Sequence, residues 1–578
     1  SSSSKIFLQN LSRNDDKNKP GRYSLKPLSE NEIKSKEPSF MGRETIIRLD
    51  DGVHLIKLNG RKDEVAAFVN LNGNNTGKND TFGIVKEANV NLDADEWKKV
   101  LLPWTVRGPG NDDKFKSINQ KPEKYSQRYR IRENGNRDLG DIVNSPIVAV
   151  GGYLATAAND GMVHIFKKNG GSDERSYNLK LSYIPGTMPR KDIESQESTL
   201  AKELRAFAEK GYVGDRYGVD GGFVLRQVEL RGQKHVFMFG AMGLGGRGAY
   251  ALDLSKINGN YPAAAPLFDV KNGDNNGKNR VKVELGYTVG TPQIGKIRNG
   301  TYSAFLASGY AAKEIDDPTN KTALYVYDLK NTLGTPIRKI DVKDGKGGLS
   351  SPTLVDKDLD GIVDIAYAGD RGGNMYRFDL SNSDPSKWSV STIFEGGKPI
   401  TSAPAVSRLA DKRVVIFGTG SDLTEDDVLN TGEQYIYGIF DDDTANVSVK
   451  VKDHMGGGLL EQVLSEENKT LFLSNNKASG GSTDKGWVVK LKEGQRVTVK
   501  PIVVLRTAFV TIRSYTGMDK CGAQTAILGI NTADGGALTP RSARPIVPEA
   551  NKDVAQYSGH KTAGGKSVPI GCMWKNSK

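Results

Sequence analysis

After about residue 139 one unit recurs along this chain: a short apolar strand, a small or Gly-rich turn, and a second strand carrying an aromatic. Seven instances are legible: Leu154–Phe166, Phe237–Leu254, Phe305–Leu329, Ile365–Leu380, Val415–Asp441, Leu471–Leu491 and Phe509–Ile530. Several follow a strand opened by a small residue and proline, at Ser145-Pro146, Thr291-Pro292, Ser351-Pro352 and Ala403-Pro404. An Asp closes the aromatic strand at Asp253, Asp328, Asp379 and Asp441. A three- or four-stranded sheet of this kind cannot bury both faces alone, and radial stacking buries them while leaving only short edges. A β-helix demands a shorter, stricter period. The repeat therefore predicts an all-β chain: a β-propeller of about seven blades over residues 139–578, preceded by an irregular extension over 1–138. The 66 glycines among 578 residues fit many turns and short strands.

One repeat carries a different signal. Asp356-Lys-Asp-Leu-Asp-Gly-Ile-Val-Asp364 places four carboxylates in one short segment. Carboxylates this close repel unless a cation sits among them. Their order matches a calcium loop, with Asp356, Asp358, Asp360 and Asp364 at positions 1, 3, 5 and 9, and Gly361 at the sharp turn. Position 7 ligates through its backbone carbonyl, a task open to Ile362. Position 12, the bidentate Glu of an EF-hand, is Tyr367, and the flanks read as strands rather than helices. The segment is thus predicted to be a calcium loop inside a β-hairpin, because hard oxygen ligands favour Ca2+ and Mg2+ demands tighter octahedral geometry. A weaker candidate, Asn272-Gly-Asp-Asn-Asn-Gly277, runs into Lys278 and Arg280 and reads as a solvated turn.

Enzyme chemistry finds little support. The five histidines show no His-Glu-x-x-His spacing, and His164 and His235 lie inside apolar strand patterns. No Gly-x-Ser-x-Gly elbow occurs. Gly240–Gly248 is Gly-rich but joins two strands, so it reads as a blade turn rather than a phosphate loop. The expectation is a non-enzymatic protein. The net charge of +12 favours anionic partners in general, yet no basic run interleaved with aromatics points to nucleic acid. No apolar run is long enough for a transmembrane helix.

Residues 1–43 read as extended or disordered. Thr45–Leu49 and His54–Leu58 read as strands around Asp50-Asp-Gly52, and 94–102 as a short helix stopped by Pro103. Residues 1–40 hold no signal-peptide core, and Ser1–Ser4 is expected to mark the trimmed end of a longer precursor. Cys521 and Cys572 are the only cysteines, and a single disulfide between them would suit an exported protein, with two free buried thiols as the alternative.

Taken in order, Leu139-Gly-Asp-Ile-Val-Asn-Ser-Pro146, Ala158-Asn-Asp-Gly-Met-Val-His-Ile-Phe166 and Ser182-Tyr-Ile-Pro-Gly186 resemble the opening of the C-terminal domain of the PilC/PilY proteins. Those are type IV pilus biogenesis factors and pilus-tip adhesins. The Asp356–Asp364 loop resembles that family's calcium loop, and Tyr376-Arg-Phe-Asp379 and Gly418-Thr-Gly420 fit as well. The neisserial PilC branch is the nearest fit. The resemblance covers about residues 139–530; residues 1–138 carry no motif that can be placed, and the N-terminal half that often holds the adhesive module is expected to be missing. It implies a modified β-propeller and export to the outer membrane, cell surface and pilus tip. It also implies partners among pilins and minor pilins, a possible host-cell receptor, and calcium that bears on pilus extension against retraction. Two other propellers stay open. A quinoprotein-like dehydrogenase also repeats aromatic-ended strands, although its adjacent Cys–Cys pair has no counterpart here. An integrin-like adhesive propeller uses the same Asp-rich loop but repeats it in several blades.

Overall fold

A computed structural model gives the three-dimensional architecture. It describes residues 145–538 except 159–160, 170–176, 188–217, 259–261, 276–280, 332, 445–447, 452–455, 469, 478–483 and 517–521. Outside that span it describes 6, 12–13, 23–24, 27–36, 43–49, 52–56, 543–545, 547–548, 560–563 and 566–569. The helix expected at 94–102, and both Cys521 and Cys572, lie outside the described residues.

Among the described residues, six large sheets follow one another along the chain, beside two small hairpins. Each sheet is built on four antiparallel strands, successive along the chain in all but the last two sheets, and we call them blades 1 to 6. Blade 1 begins at Val148–Val150, blade 2 at Phe223–Leu230, blade 3 at Gln293–Lys296, blade 4 at Thr353–Val355, blade 5 at Ala405–Arg408 and blade 6 at Ile502–Val504. These first strands neighbour one another in sequence: blade 1 touches blade 2, 2 touches 3, 3 touches 4, and 5 touches 6. The Ser/Thr/Ala-Pro pairs stand immediately before them, where proline's missing N–H costs no ladder bond and its neighbour is driven to extended backbone. Polar groups at and beside these pairs stitch blades together: Thr291 N–H donates to Ser351 Oγ at 2.9 Å, and Thr353 Oγ1 donates to the Pro404 carbonyl at 2.5 Å.

The core lies in the seams between consecutive sheets. Phe239 and Phe268 of blade 2 pack against Tyr327 of blade 3 at ring-centroid distances of 6.1 and 5.9 Å. Leu324 and Val326 on the opposite face of that strand bury against Tyr376 and Phe378 of blade 4. An alternating strand buried on both faces explains why these segments read as continuous apolar runs rather than as half-polar ones. The recurring Asp closes each unit by an Asx turn: the Asp328 and Asp379 carboxylates accept the amides of Lys330 and Ser381, two residues on, at 2.8 and 3.0 Å.

Seven sequence units become six sheets because two of them share blade 5. Val415–Asp441 and Leu471–Leu491 contribute to one seven-stranded sheet. Gly486–Lys490 is its fourth strand, pairing with Tyr435–Asp441, and Leu459–Glu467 adds outside it in parallel. The 442–485 insertion that connects them also lends Val449–Lys450 to the outer edge of blade 4. The N-terminal region contributes similarly. Glu44–Leu49 pairs in parallel with Tyr177–Ile184 of blade 1, and Gly52–Ile56 pairs outside it. Ile46 and Ile47 are fully buried in the blade 1–blade 2 core.

Candidate metal centre

The Asp-rich loop is the first hairpin of blade 4, between Thr353–Val355 and Ile365–Gly369. Its own carboxylates fold it. Asp356 accepts the amides of Asp360 at 3.2 Å and Gly361 at 2.7 Å, and Asp360 accepts that of Ile362 at 3.0 Å. Two positions adopt left-handed backbone, Leu359 at φ 58° and Gly361 at φ 82°. Glycine does so without penalty; Leu359, with its side chain in solvent, does so at a cost of about 1–2 kcal/mol. Asp364 stands at the base, 4% exposed, with its amide on the Val355 carbonyl at 2.9 Å and its carboxylate accepting the Lys357 amide at 2.8 Å.

This folding brings together all four predicted carboxylates: one oxygen each from Asp356, Asp358, Asp360 and Asp364 lies within 4.8 Å of the others. The Ile362 carbonyl accepts no hydrogen bond from another described residue. A convergent set of hard oxygens, with a backbone carbonyl to spare, fits Ca2+. Position 12 is put to another use. Tyr367 is buried and donates its hydroxyl proton to Asp441 at 2.5 Å.

Neighbouring blades reach into the loop. From the first hairpin of blade 3, Arg298 donates to Asp360 Oδ2 at 2.7 Å and to Asp364 Oδ1. From blade 5, Arg408 donates to the Lys357 carbonyl at 2.8 Å and to that of Asp356. Lys357 turns away from the carboxylates to pair with Asp443 at 2.5 Å. The electrostatics divide accordingly. Arg298 holds the Asp360 carboxyl below the usual range. Burial, with Asp358 alongside, pushes that of Asp364 up.

The other sequence candidates resolve into structure. His164 is buried with Nδ1 2.8 Å from Ser182 Oγ, and His235 Nδ1 lies 2.8 Å from Asp253. In the Asn272–Gly277 segment, the Asn272 side chain accepts the Leu285 amide at 2.9 Å, while Asn276 and Gly277 are outside the described residues. Gly240–Gly248 includes the turn between the second and third strands of blade 2. Arg298 and Arg408 were invisible to spacing, being far from the loop in sequence. Their one available signal is positional: each belongs to the first hairpin of the blade beside blade 4.

The family model of the PilY1 beta-propeller domain matches residues 139–477. The chain belongs to the PilY1 β-propeller family. Type IV pilus biogenesis factor PilY1 of Pseudomonas aeruginosa (strain UCBPP-PA14) is 30% identical over 441 residues, covering 65% of this chain and 36% of that protein. A PilY1 homolog of Xylella fastidiosa (strain Temecula1 / ATCC 700964) is 28% identical over 260 residues, covering 43% and 15%. The chain thus spans about a third of the length of the P. aeruginosa relative. The crystal structure of the P. aeruginosa PilY1 C-terminal domain superposes with a TM-score of 0.50 at 23% identity, covering 72% of this chain and 85% of that one. That likeness bears on the fold, and it is the PilY1 propeller fold. Among the described residues no helix is long and apolar enough to cross a membrane.

Proposed function

We propose that this chain is the calcium-binding propeller of a type IV pilus-associated protein, of the neisserial PilC kind, that acts without catalysis in pilus biogenesis and host-cell adhesion. The observation that carries the metal reading is the convergence of Asp356, Asp358, Asp360 and Asp364 within 4.8 Å of one another. When bound, Ca2+ neutralises these carboxylates and fixes the shape of the hairpin; the Ile362 carbonyl supplies the remaining protein ligand. Membership of the PilY1 family supports partners among pilins and minor pilins, and export to the outer membrane, cell surface and pilus tip. A host-cell receptor is a further partner in this reading. Residues 1–138 form an accessory region to the 139–578 propeller, and a Cys521–Cys572 disulfide pins the C-terminal tail.

On this reading calcium sets the geometry of one hairpin on the rim, so its effect is on what docks there rather than on a reaction. Co-purification of pilus subunits with the full chain, in calcium and in a chelator, tests it. Minor pilins retained only with calcium support the reading. Equal recovery in both, from a chain shown by calorimetry to bind calcium, reduces the ion to a structural staple.

A further inference from the structure

We propose that Arg298 is a built-in counter-cation of the Asp356–Asp364 loop, one that a divalent ion must displace. The inference rests on the calcium reading above and adds its regulation: Arg298 sets the affinity of the site and couples ion binding to the seam between blades 3 and 4.

The geometry is that of a bridging cation. The guanidinium contacts two different carboxylates at once, Asp360 Oδ2 through Nη1 at 2.7 Å and Asp364 Oδ1 through Nη2. These are the fifth and ninth loop positions, two of the four carboxylates that converge. Other nearby cations are committed elsewhere. Arg408 donates to the neutral carbonyls of Asp356 and Lys357, and Lys357 pairs with Asp443. Among the described residues, Arg298 is therefore the cation paired with the loop's ligand carboxylates.

Its side chain can leave while its backbone stays. The turn is tied down by Ile297 N–H on the Thr301 carbonyl and Gly300 N–H on the Ile297 carbonyl, both at 2.9 Å. Ile297 is fully buried in the same core cluster as Val363, and Val363 N–H donates to the Lys296 carbonyl at 2.8 Å. The two hairpins are thus locked together by backbone and core. The Arg298 side chain is 28% exposed, so it has a path to water. Arginine keeps its charge at every accessible pH, so proton loss cannot clear it from the site; only another cation can.

Calcium wants six to eight oxygens at about 2.3–2.6 Å, and an oxygen that accepts a guanidinium proton at close range has part of its lone-pair capacity spent. Binding therefore proceeds against the Arg298 pairs. Removing the competitor raises affinity, and removing it also leaves the metal-free loop with an uncompensated cluster of negative charge. The two effects have opposite signs, which separates displacement from a role as a support that orients the ligands.

The experiment is titration of calcium chloride into the full chain by calorimetry, for wild type, Arg298→Gln and Arg298→Lys, with thermal melts in chelator and in saturating calcium. Arg298→Gln should bind roughly tenfold tighter, equivalent to about 1.4 kcal/mol, and should melt below wild type in chelator. Calcium should then raise its melting temperature by more than it raises that of wild type. Arg298→Lys keeps the charge without the fork and should fall between the two; it also serves if Arg298→Gln fails to fold. Binding by Arg298→Gln with silence from wild type would support displacement in its strongest form. Equal or weaker binding by Arg298→Gln overturns this inference and leaves the metal site standing. Silence from all three chains removes the metal reading itself.

Discussion

Tyr367 donates its hydroxyl proton to Asp441 at 2.5 Å across the seam between blades 4 and 5. Arg377 donates to the other Asp441 oxygen at 2.5 Å, and Arg413 Nε donates to the Tyr367 hydroxyl at 3.1 Å. Arg413 also pairs with Asp443, which holds Lys357 of the Asp-rich loop. One polar network, buried at the seam and open to solvent at Lys357, therefore joins the loop, the seam and the stem of the 442–485 insertion. Tyr367→Phe leaves Asp441 and Arg413 each short of a partner without changing the packing of the ring. It should cost about 1–3 kcal/mol in urea denaturation. A cost near zero would mean that solvent replaces the hydroxyl.

Removing a loop carboxylate should abolish calcium binding and leave the fold. Asp358 is exposed and packs in neither core cluster that flanks this hairpin. Asp358→Ala should give no calorimetric signal with calcium and a melting temperature close to that of calcium-free wild type. Calcium at a hundred times its dissociation constant should stabilise wild type by about 2.7 kcal/mol and the variant not at all. Unchanged affinity in Asp358→Ala would eliminate this ligand set.

Gly438 lies opposite Trp487 in blade 5, and a Cβ there would sit 2.1 Å from the indole Cε2. Trp487 cannot easily retreat. It is fully buried, and its Nε1 donates to the Thr532 carbonyl at 2.9 Å. Gly438→Ala should therefore destabilise by about 1–3 kcal/mol, through overpacking rather than through backbone strain. Tryptophan fluorescence reports it directly, since the shift should appear in the folded baseline.

Burial pushes the Asp370 carboxyl above the ordinary range, even though it accepts the Lys346 and Asn374 amides, both at 2.9 Å, and the Tyr376 hydroxyl at 2.5 Å. An acid whose folded pKa is raised binds its proton more tightly folded than unfolded. Its contribution therefore favours folding at low pH and is lost as pH climbs from the ordinary carboxylate range through the raised value. Asp370→Asn removes that titration. The stability of wild type relative to Asp370→Asn should thus fall with rising pH in this window and level off above it. Urea titrations of both proteins across mildly acidic pH measure the difference; a flat difference would contradict the assignment.

The features set by sequence alone are those encoded over a few neighbouring residues. Strand, turn and aromatic strand alternate within each unit, so the all-β class and the propeller logic follow from local pattern. Asp356 to Asp364 converge because the loop's own amides return to its own carboxylates, which makes the ligand set legible from spacing. Other features depend on which distant segments meet. The Leu471–Leu491 unit reads like a blade of its own, yet Gly486–Lys490 completes blade 5 because Tyr435–Asp441 offers it an open edge. Glu44–Leu49 reads as a strand, but only the unpaired edge of Tyr177–Ile184 gives it a place. The same holds for Arg298, an ordinary hairpin arginine until blade stacking sets it against Asp360 and Asp364. A local apolar run fixes that a segment is a buried strand; edge pairing and charge pairing are fixed by long-range closure, which leaves no local trace.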